Sequence, residues 1–316
     1  MQRLFLPACL LVAACALPFV LPSYMVFQLT MVITYALALL GLNLLTGFNG
    51  QISLGHGAFF ALGAYTTAIL MTHAGWPYWA TLPAAALLGG TLGALFGLPA
   101  LKLDGVYLAL ATFALGVATP QLLKYKGLES WTGGSQGLVL DKPEAPWGLP
   151  LDGDQWLYFF CLGVALLLFA VAHNLLRGAV GLSLVAVRDH PIAAQAMGVD
   201  NARVKTITFG ISALYTSVAG GLSALVVQFV APDSFTVFLS ITLLVGAVVG
   251  GLSSLSGAVY GAIFIQFVPG FAEKVSQAAP WAVYGAILLV LMLVWPTGAA
   301  GGVARLRNLV LQRSNP

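Results

Sequence analysis

Charge is the scarcest property of this sequence. Only 7% of its 316 residues are Asp, Glu, Lys or Arg, whereas 59% are hydrophobic and the mean hydropathy is +0.94. Soluble domains carry about 25% charged residues, so this chain cannot cover itself with a surface that water solvates. The composition excludes a soluble globular protein and predicts an all-α, polytopic integral membrane protein. The net charge of +3 is too small to indicate nucleic-acid binding.

Groups that perform chemistry are also few. The three cysteines, Cys9, Cys15 and Cys161, lie in apolar runs without metal-ligand spacing, which favours buried packing thiols. No nucleophile–base pair or metal-ligand cluster indicates an enzyme, so we expect no catalytic residue and no metal or cofactor on this chain. The sequence also lacks a G-x-x-x-x-G-K-[ST] phosphate loop, and any nucleotide is therefore expected on a partner.

Long apolar runs dominate what is present. Ten windows of about 20 residues are long enough to cross a bilayer, at 4–22, 25–46, 52–72, 78–100, 106–123, 156–176, 206–228, 237–254, 257–272 and 281–297. The first window contains the stretches VAAC and ACA, typical of signal-peptide cleavage sites, but we expect it to be retained as a span. All 13 basic and 10 acidic residues fall outside these windows. Ion-coupled carriers need intramembrane ionisable groups, so energy for transport is expected to come from outside the membrane.

The basic residues predict the orientation. Ten spans place both termini on one side, whose segments contain Arg3, Lys102, Arg177, Arg188, Arg203, Lys205, Arg305, Arg307 and Arg313. The other side has only Lys124, Lys126, Lys142 and Lys274. Because Lys and Arg concentrate in cytoplasmic segments, both termini are predicted to be cytoplasmic.

One stretch between two apolar runs, GFNGQISLGHGAFFALGAY at residues 47–65, is rich in glycine and polar side chains. Glycines make a continuous helix before Ser53 unfavourable, and irregular backbone at membrane depth must be buried in protein or line a wet cavity. We therefore predict a break between the second and third spans, near the cytoplasmic side. The candidates for the substrate pathway are Asn43, Gln51, Ser53, His56, Tyr107 and Thr112. The competing interpretation, favoured for His56, is hydrogen bonding to neighbouring helices and to the broken backbone.

A small-residue pattern near this break occurs twice. Gly, Ser, Gly and Ala at positions 50, 53, 57 and 58 have identical counterparts at 250, 253, 257 and 258. Membrane helix interfaces favour small residues in any case, so four identities do not establish an internal repeat.

The longest inward-facing segment, residues 177–205, predicts a short helix. Asp189 suits an N-cap and Pro191 a first turn. Residues Ile192–Met197 would form the helix and Gly198 its left-handed C-terminal cap. Ala193 and Ala194 are small enough to seat it in another protein's groove. Arg188 is expected to contribute only an exposed ion pair, worth about 0–1 kcal/mol.

Several stretches of the chain resemble one transporter family. IAAQAMG at 192–198 is similar to the E-A-A-x-x-x-G loop of ABC importer permeases, with Ile192 where that motif has Glu. GQISLGHGAFFALGAY at 50–65, LKLDGVYLALATFALG at 101–116, WTGGSQGL at 131–138 and VRDHPIAAQAMGVDNARVK at 187–205 resemble LivM-type permease subunits of branched-chain amino-acid ABC importers.

The resemblance implies a transport subunit of the bacterial inner membrane, not an enzyme. Its implied partners are a homologous permease subunit, two ATPase subunits that bind ATP and Mg²⁺, and a periplasmic substrate-binding protein. The implied ATPase-coupling residues are Arg188, Asp189, Ile192, Ala193, Ala194 and Gly198. We expect the outward segment, with Trp131, Thr132, Gly133 and Gly134, to dock the binding protein.

The expected organisation is one permease domain over residues 1–316. It comprises a membrane bundle at 4–297, a periplasmic loop at 124–155, a coupling loop at 177–205 and a cytoplasmic tail at 298–316. The expected function is inward transport of branched-chain or other neutral amino acids. A urea or short-chain amide permease, and a stand-alone secondary transporter or channel, remain alternatives.

Overall fold

A computed structural model describes residues 12–313 except 102, 104, 147–149 and 278, and the side chains at 100, 280, 281 and 306–313 are also outside the description. Arg3, Lys102 and Cys9 therefore lie outside the described part. Its helices are α1 (12–20), α2 (Ser23–Asn43), α3 (His56–Ala74), α4 (Tyr78–Ala100), α5 (Val106–Leu123), α6 (Glu129–Thr132), α7 (Gly153–Arg177), α8 (Ala179–Asp189), α9 (Pro191–Ala196), α10 (Asn201–Val227), α11 (Val237–Gly250), α12 (Leu255–Val275), α13 (Pro280–Val294) and α14 (Gly298–Arg313).

Six helical segments in the described part are long and apolar enough to cross a bilayer: Ser23–Phe48, Tyr78–Pro99, Val106–Leu123, Gly153–Arg177, Asn201–Val227 and Leu255–Val275. Ala282–Val294 and Gly298–Arg305 meet at a bend of 44° and make a seventh when taken together. The chain is therefore an all-α polytopic membrane protein, and the count of ten spans stays a prediction.

Two of the predicted spans are shorter than expected, for a structural reason. Helix α11 has 14 residues, about 21 Å at 1.5 Å per residue, and is too short to cross a hydrocarbon core of about 30 Å. It ends at Gly251, whose φ of 114° is a backbone conformation that glycine adopts and other residues rarely do. Helix α3 begins at His56 and not at residue 52, because residues 49–55 are irregular.

Helix α10 forms the centre of the bundle and packs against α2, α3 and α4. Small residues bring the backbones together: a Cβ on Gly63 of α3 would lie 1.8 Å from the Ser217 carbonyl oxygen, and one on Gly220 would lie 1.9 Å from that of Phe60. Lipid tails are as apolar as the helix surfaces, so dispersion contacts and interhelical hydrogen bonds hold such a bundle. The interior is accordingly fixed by close contact of backbones.

The remaining regular structure joins the outward loop to α10. Strand β1 (Leu138–Val139) pairs antiparallel with β2 (Phe229–Val230), which follows α10 directly. A 3₁₀ turn (Pro232–Phe235) then leads to α11. An ion pair of 2.5 Å between Lys124 and Asp233 connects the end of α5 to this turn.

Candidate functional site

The predicted break after the second span is present. Helix α2 continues as a π-helix at Leu44–Phe48, and residues 49–55 are irregular before α3 begins at His56. Gly50 has a φ of 75°, which glycine adopts without strain. We call the π-helix together with this irregular stretch, residues 44–55, the first break. A second break, residues 251–254, separates α11 from α12 and lies against the first, since the Ser253 hydroxyl donates to the Gly47 carbonyl oxygen.

Buried hydroxyl groups satisfy the backbone of the first break. The Leu54 N–H donates to Thr112 Oγ1 (2.9 Å), and the Gly57 N–H in the first turn of α3 donates to Ser240 Oγ (2.9 Å). Thr112 and Ser240 are both buried. The first N–H groups of a helix have no partner within it. Side chains of α5 and α11 therefore stabilise this interrupted backbone.

His56 belongs to a chain of hydrogen bonds inside the bundle. Ser212 Oγ donates to the Gly41 carbonyl oxygen (2.6 Å), so His56 Nε2–H donates to Ser212 Oγ (2.6 Å) and Ser53 Oγ donates to His56 Nδ1 (2.9 Å). This network assigns the imidazole proton to Nε2. Both ring nitrogens are thus occupied by the fold, as the competing structural interpretation of His56 requires.

The other pathway candidates lie in different environments. The Asn43 amide holds the second break, because Nδ2 donates to the Ser254 carbonyl oxygen and Oδ1 accepts from the Ser253 N–H, both at 2.8 Å. Gln51 Nε2 donates to the Lys205 carbonyl oxygen (3.2 Å) at the start of α10. Tyr107 is on the outer face of α5 with 72% of its surface exposed. Tyr107 is therefore away from the group that Asn43, Gln51, Ser53, His56 and Thr112 form around the breaks.

Arg188, at the end of α8, joins the two breaks. Its Nη1 donates to the Gly47 carbonyl oxygen (2.9 Å) and to Ser253 Oγ (2.8 Å), while Nε donates to Asp189 Oδ1 (2.8 Å). The Ser253 hydroxyl also donates to the Gly47 carbonyl oxygen (2.6 Å). The expectation that Arg188 makes only an exposed ion pair was wrong, because this guanidinium ties the inward segment to both interruptions. The spacing in the sequence gave no signal of these contacts.

The predicted short helix after Arg188 is present as α9. Gly198 has a φ of 89°, and the Val199 N–H donates to the Ala194 carbonyl oxygen (3.0 Å), which confirms the left-handed C-terminal cap. The prediction that Asp189 is the N-cap was wrong: Asp189 ends α8, and His190 occupies the N-cap position without a side-chain bond. The carboxylate accepts from Arg188, and this hydrogen bond lowers the pKa of Asp189.

The faces of α9 differ from the expected arrangement. Ala194 is buried against its own chain, whereas Ile192, Ala193 and Met197 are exposed. Ile192 and Met197 are 84% and 85% exposed. Large apolar side chains at the tip of a connecting segment are typical of a protein contact. Asp200 caps α10 by accepting from the Arg203 N–H (3.1 Å).

The four predicted docking residues form a tight turn at the end of α6. Trp131 is exposed, and its carbonyl oxygen accepts from His73 Nε2 (3.2 Å). Thr132 is buried, and its hydroxyl donates to the Leu123 carbonyl oxygen (2.8 Å). Gly133 and Gly134 have φ values of 72° and 56°. Only the indole of Trp131 is therefore available as a large contact surface among these four residues.

Metal-binding chemistry is not indicated in the described part of the chain, where no three His, Cys, Asp or Glu side chains group together. Cys161 is buried and Cys15 is partly buried, both as free thiols. This region instead contains a direct connection, through Arg188, between the α8–α9 segment and the two breaks.

Known proteins resemble the chain over most of its length. The model of the branched-chain amino acid transport system / permease component family matches residues 24–295. The high-affinity branched-chain amino acid transport system permease protein LivM of Escherichia coli is 34% identical over 317 residues, covering 93% of this chain and 73% of the relative; that of Salmonella typhimurium is 33% identical with the same coverage. LivH of Escherichia coli, a permease protein of the same transport system, is 24% identical over 85% of this chain and 91% of its own length. No solved structure matches the chain significantly.

Proposed function

The chain belongs to the permease family of branched-chain amino acid ABC importers, and we propose that its α8–α9 segment receives the movement that partner ATPases produce. It is a membrane transport subunit of that family. The proposal concerns the way in which ATP hydrolysis on other subunits reaches this bundle. The observation that carries it is the Arg188 guanidinium, which bonds to both breaks from the end of α8, three residues before α9 begins.

The contact with the ATPase is proposed at the exposed tip of α9. Ile192 and Met197 present apolar side chains, and the cap at Gly198 fixes the turn that follows. Buried Ala194 sets how closely α9 lies against its own chain. A push on this tip would be passed through α8 to Arg188, and from there to Gly47 and Ser253.

The proposed assembly contains a homologous permease subunit, two ATPases that hold ATP and Mg²⁺, and a periplasmic binding protein. Similarity to both LivM and LivH, two permeases of one transport system, supports a pair of related permeases. The proposed location is the bacterial inner membrane with both termini cytoplasmic, as the distribution of Lys and Arg favours. Branched-chain or other neutral amino acids are the proposed substrates.

Transport in reconstituted complexes tests the coupling contact. Replacing Ile192 and Met197 together by Asp removes the apolar tip without changing the Arg188 contacts. We expect at least a ten-fold loss of co-purified ATPase or of binding-protein-stimulated ATP hydrolysis. Asn174→Asp, at an exposed position near the end of α7, is the matched control and should retain both. Wild-type stimulation in the double variant would place the contact elsewhere, and gradient-driven leucine flux from this chain alone would contradict the ATP-coupled function.

Cysteine labelling tests the orientation. Ser135 in the outward loop and Met197 at the end of α9 are both exposed, so a cysteine at either position is accessible in the permease expressed without its ATPase partners. Ser135→Cys is expected to react with a membrane-impermeant maleimide from outside the cell, and Met197→Cys only after permeabilisation. Labelling of both from one side would contradict the proposed topology.

A further inference from the structure

Two helices begin next to each other inside the membrane span. His56, the first residue of α3, bonds to Ser212 of α10, and the Gly57 N–H bonds to Ser240 in the first turn of α11. Ser212 is eleven residues beyond the start of α10 at Asn201, about 17 Å at 1.5 Å per residue, and α10 carries its charged residues only in the first two turns. The hydrocarbon core of a bilayer is about 30 Å thick. The starts of α3 and α11 therefore lie at membrane depth and not at the membrane surface.

The backbone at these two starts is open on one side. Ile52 in the first break is 45% exposed, and its N–H and C=O groups have no hydrogen-bond partner among the residues that the structure describes. Phe238, the second residue of α11, is 71% exposed, and Thr236, the N-cap residue of that helix, makes no capping bond with its side chain. Irregular backbone at membrane depth needs protein or water beside it, because lipid tails offer no hydrogen bonds. This side of the molecule therefore does not face lipid.

Helix α5 lies along the same side. It packs against α3 and α11, and its buried residues form a single stripe: Leu108, Thr112, Gly116 and Pro120. The stripe meets both helix starts, because Thr112 accepts from the Leu54 N–H and a Cβ on Gly116 would lie 3.7 Å from Val237. Phe113 and Val117 follow those two positions and are exposed. We call the exposed side chains around the two starts the α5 face: Ile52, Leu110, Phe113, Val117 and Phe238.

The chemistry of the α5 face favours protein over water as its cover. All five side chains are apolar, so water would gain no hydrogen bonds from them. Ala114 and Ala118, on the side of α5 away from the buried stripe, are also exposed. Small residues at a helix surface let another helix approach closely in a membrane. A second membrane protein that packs against α5 would therefore cover the open backbone as well.

We propose that the α5 face is the contact surface for the homologous permease subunit. The inference rests on the proposed function, in which that subunit is the partner embedded in the membrane. The ATPases and the binding protein lie at the two membrane surfaces and do not reach this depth. Helix α7, in contrast, is continuous over Gly153–Arg177. Its backbone groups pair within the helix, so lipid can cover its exposed side.

Site-directed photo-crosslinking in the complete importer tests this contact. The photoreactive residue p-benzoylphenylalanine replaces Phe113 or Phe238 in a chain co-expressed with the binding protein, the ATPases and an epitope-tagged homologous permease. After illumination of membranes, we expect an adduct with the tagged permease from both positions, detected by immunoblot and confirmed by mass spectrometry. The same residue at Leu167, 64% exposed on α7, is the control. It should give at least ten-fold less of this adduct.

A bulky substitution gives a second, independent measurement. Ala114→Trp should lower the amount of homologous permease that co-purifies with the chain at least five-fold, because the indole keeps the partner helix away. Ala170→Trp, at an exposed alanine of α7, is the matched control and should leave co-purification unchanged. Recovery of the chain itself is measured in both variants, and we expect it to stay within two-fold of wild type.

The outcomes separate the inference from the function that it rests on. If the wild-type chain co-purified no homologous permease, the proposed pair of permeases and the α5 face would both be wrong. If co-purification were normal, but residues 113 and 238 gave adducts only with lipid, with an ATPase or with a second copy of this chain, the α5 face alone would be overturned. Equal effects of Ala114→Trp and Ala170→Trp on co-purification would also overturn it. Permease adducts from both positions of the α5 face would support the contact.

Discussion

The two breaks in the helical bundle have similar small-residue sequences but different supports. The first break is held by buried hydroxyl groups of helices that surround it, Thr112 of α5 and Ser240 of α11, and by the His56 network. The second break is held by the Asn43 amide and by Arg188, whose side chain is 32% exposed. Most supports of the first break therefore lie inside the bundle, whereas the second break depends on one buried amide and on the segment that carries Arg188.

This difference indicates where movement enters the bundle. Buried hydrogen bonds to a broken backbone are costly to open, because each group then lacks a partner. The Arg188 contacts to Gly47 and Ser253 can exchange with water at the edge of the bundle. The second break also lies against the turn before α14, since a Cβ on Gly251 would come 3.1 Å from the Thr297 carbonyl oxygen. We therefore expect the second break and Arg188 to move in the transport cycle, and the first break to act as the fixed part.

The largest effect is expected at Gly257, where α12 packs against the second break without room for a side chain. A Cβ on Gly257 would lie 2.3 Å from the Gly251 carbonyl oxygen, which is backbone and cannot move aside cheaply. Gly257→Ala should reduce recovery of assembled permease at least ten-fold, measured by quantitative immunoblot of purified membranes. Gly270→Ala in the same helix meets nothing within 4 Å and is expected to have no effect. Equal recovery of the two variants would show that the second break tolerates displacement.

Removing the connection between the breaks is expected to have the next largest effect. Arg188→Ala loses the bonds to Gly47 and Ser253 and should lower ATP-dependent uptake at least ten-fold, with the permease still assembled. Arg188→Lys should restore little, because the shorter side chain ends in a single ammonium and cannot hold Asp189 and both breaks at once as the planar guanidinium does. The control is Arg203→Ala, whose exposed pair with Asp200 (3.0 Å) is worth about 0–1 kcal/mol. If uptake by the Arg188→Ala variant stayed within two-fold of wild type, Arg188 would not be part of the coupling path.

A moderate effect on stability is expected at the first break. His56→Ala removes the hydrogen bonds to Ser53 and Ser212, which should lower the free energy of unfolding by about 1–3 kcal/mol and reduce the recovered complex. The half-saturation for uptake by the assembled complex should stay within two-fold. His173→Ala, at an exposed position on α7, should change neither quantity. A large shift in half-saturation at normal assembly would instead make His56 a substrate contact.

The smallest effect is expected at Asp189. The Arg188 hydrogen bond lowers the pKa of this carboxyl, so its contribution to stability is present above the unfolded-state pKa of about 3.9 and is lost only as the pH falls through the lower folded-state pKa. Thermal stability of the purified complex should therefore not change between pH 5 and 8 through this group. Asp189→Asn should alter uptake less than two-fold, because Arg188 keeps its bonds to the two breaks. A ten-fold loss would assign the carboxylate a role in the ATPase contact.

Much of the architecture could be predicted from the sequence because it depends on composition and on local chemistry. Low charge and long apolar runs require a membrane bundle, since the alternative exposes apolar surface to water. Glycines at 47 and 50 interrupt the α-helix, and the first break, which begins with the π-helix, lies there. The turn at Gly198 and the cap at Asp200 were predictable because each depends on residues within a few positions of it.

The hydrogen bonds that the candidate site residues form depended on the tertiary structure. Ser253 is 210 residues from Asn43 and 206 residues from Gly47 in sequence, and it meets them only because α2 packs against α11 and α12. Arg188 looked like a surface charge because its partners are backbone groups of distant segments, which leave no pattern in the sequence. Asn43 and Asn49 are likewise two asparagines a few positions apart: the Asn43 side chain forms two hydrogen bonds, and the Asn49 side chain forms none with the residues that the structure describes. The sequence alone therefore determined that the helices break and which polar groups were available there, whereas the packing of distant helices decided which of these groups pair.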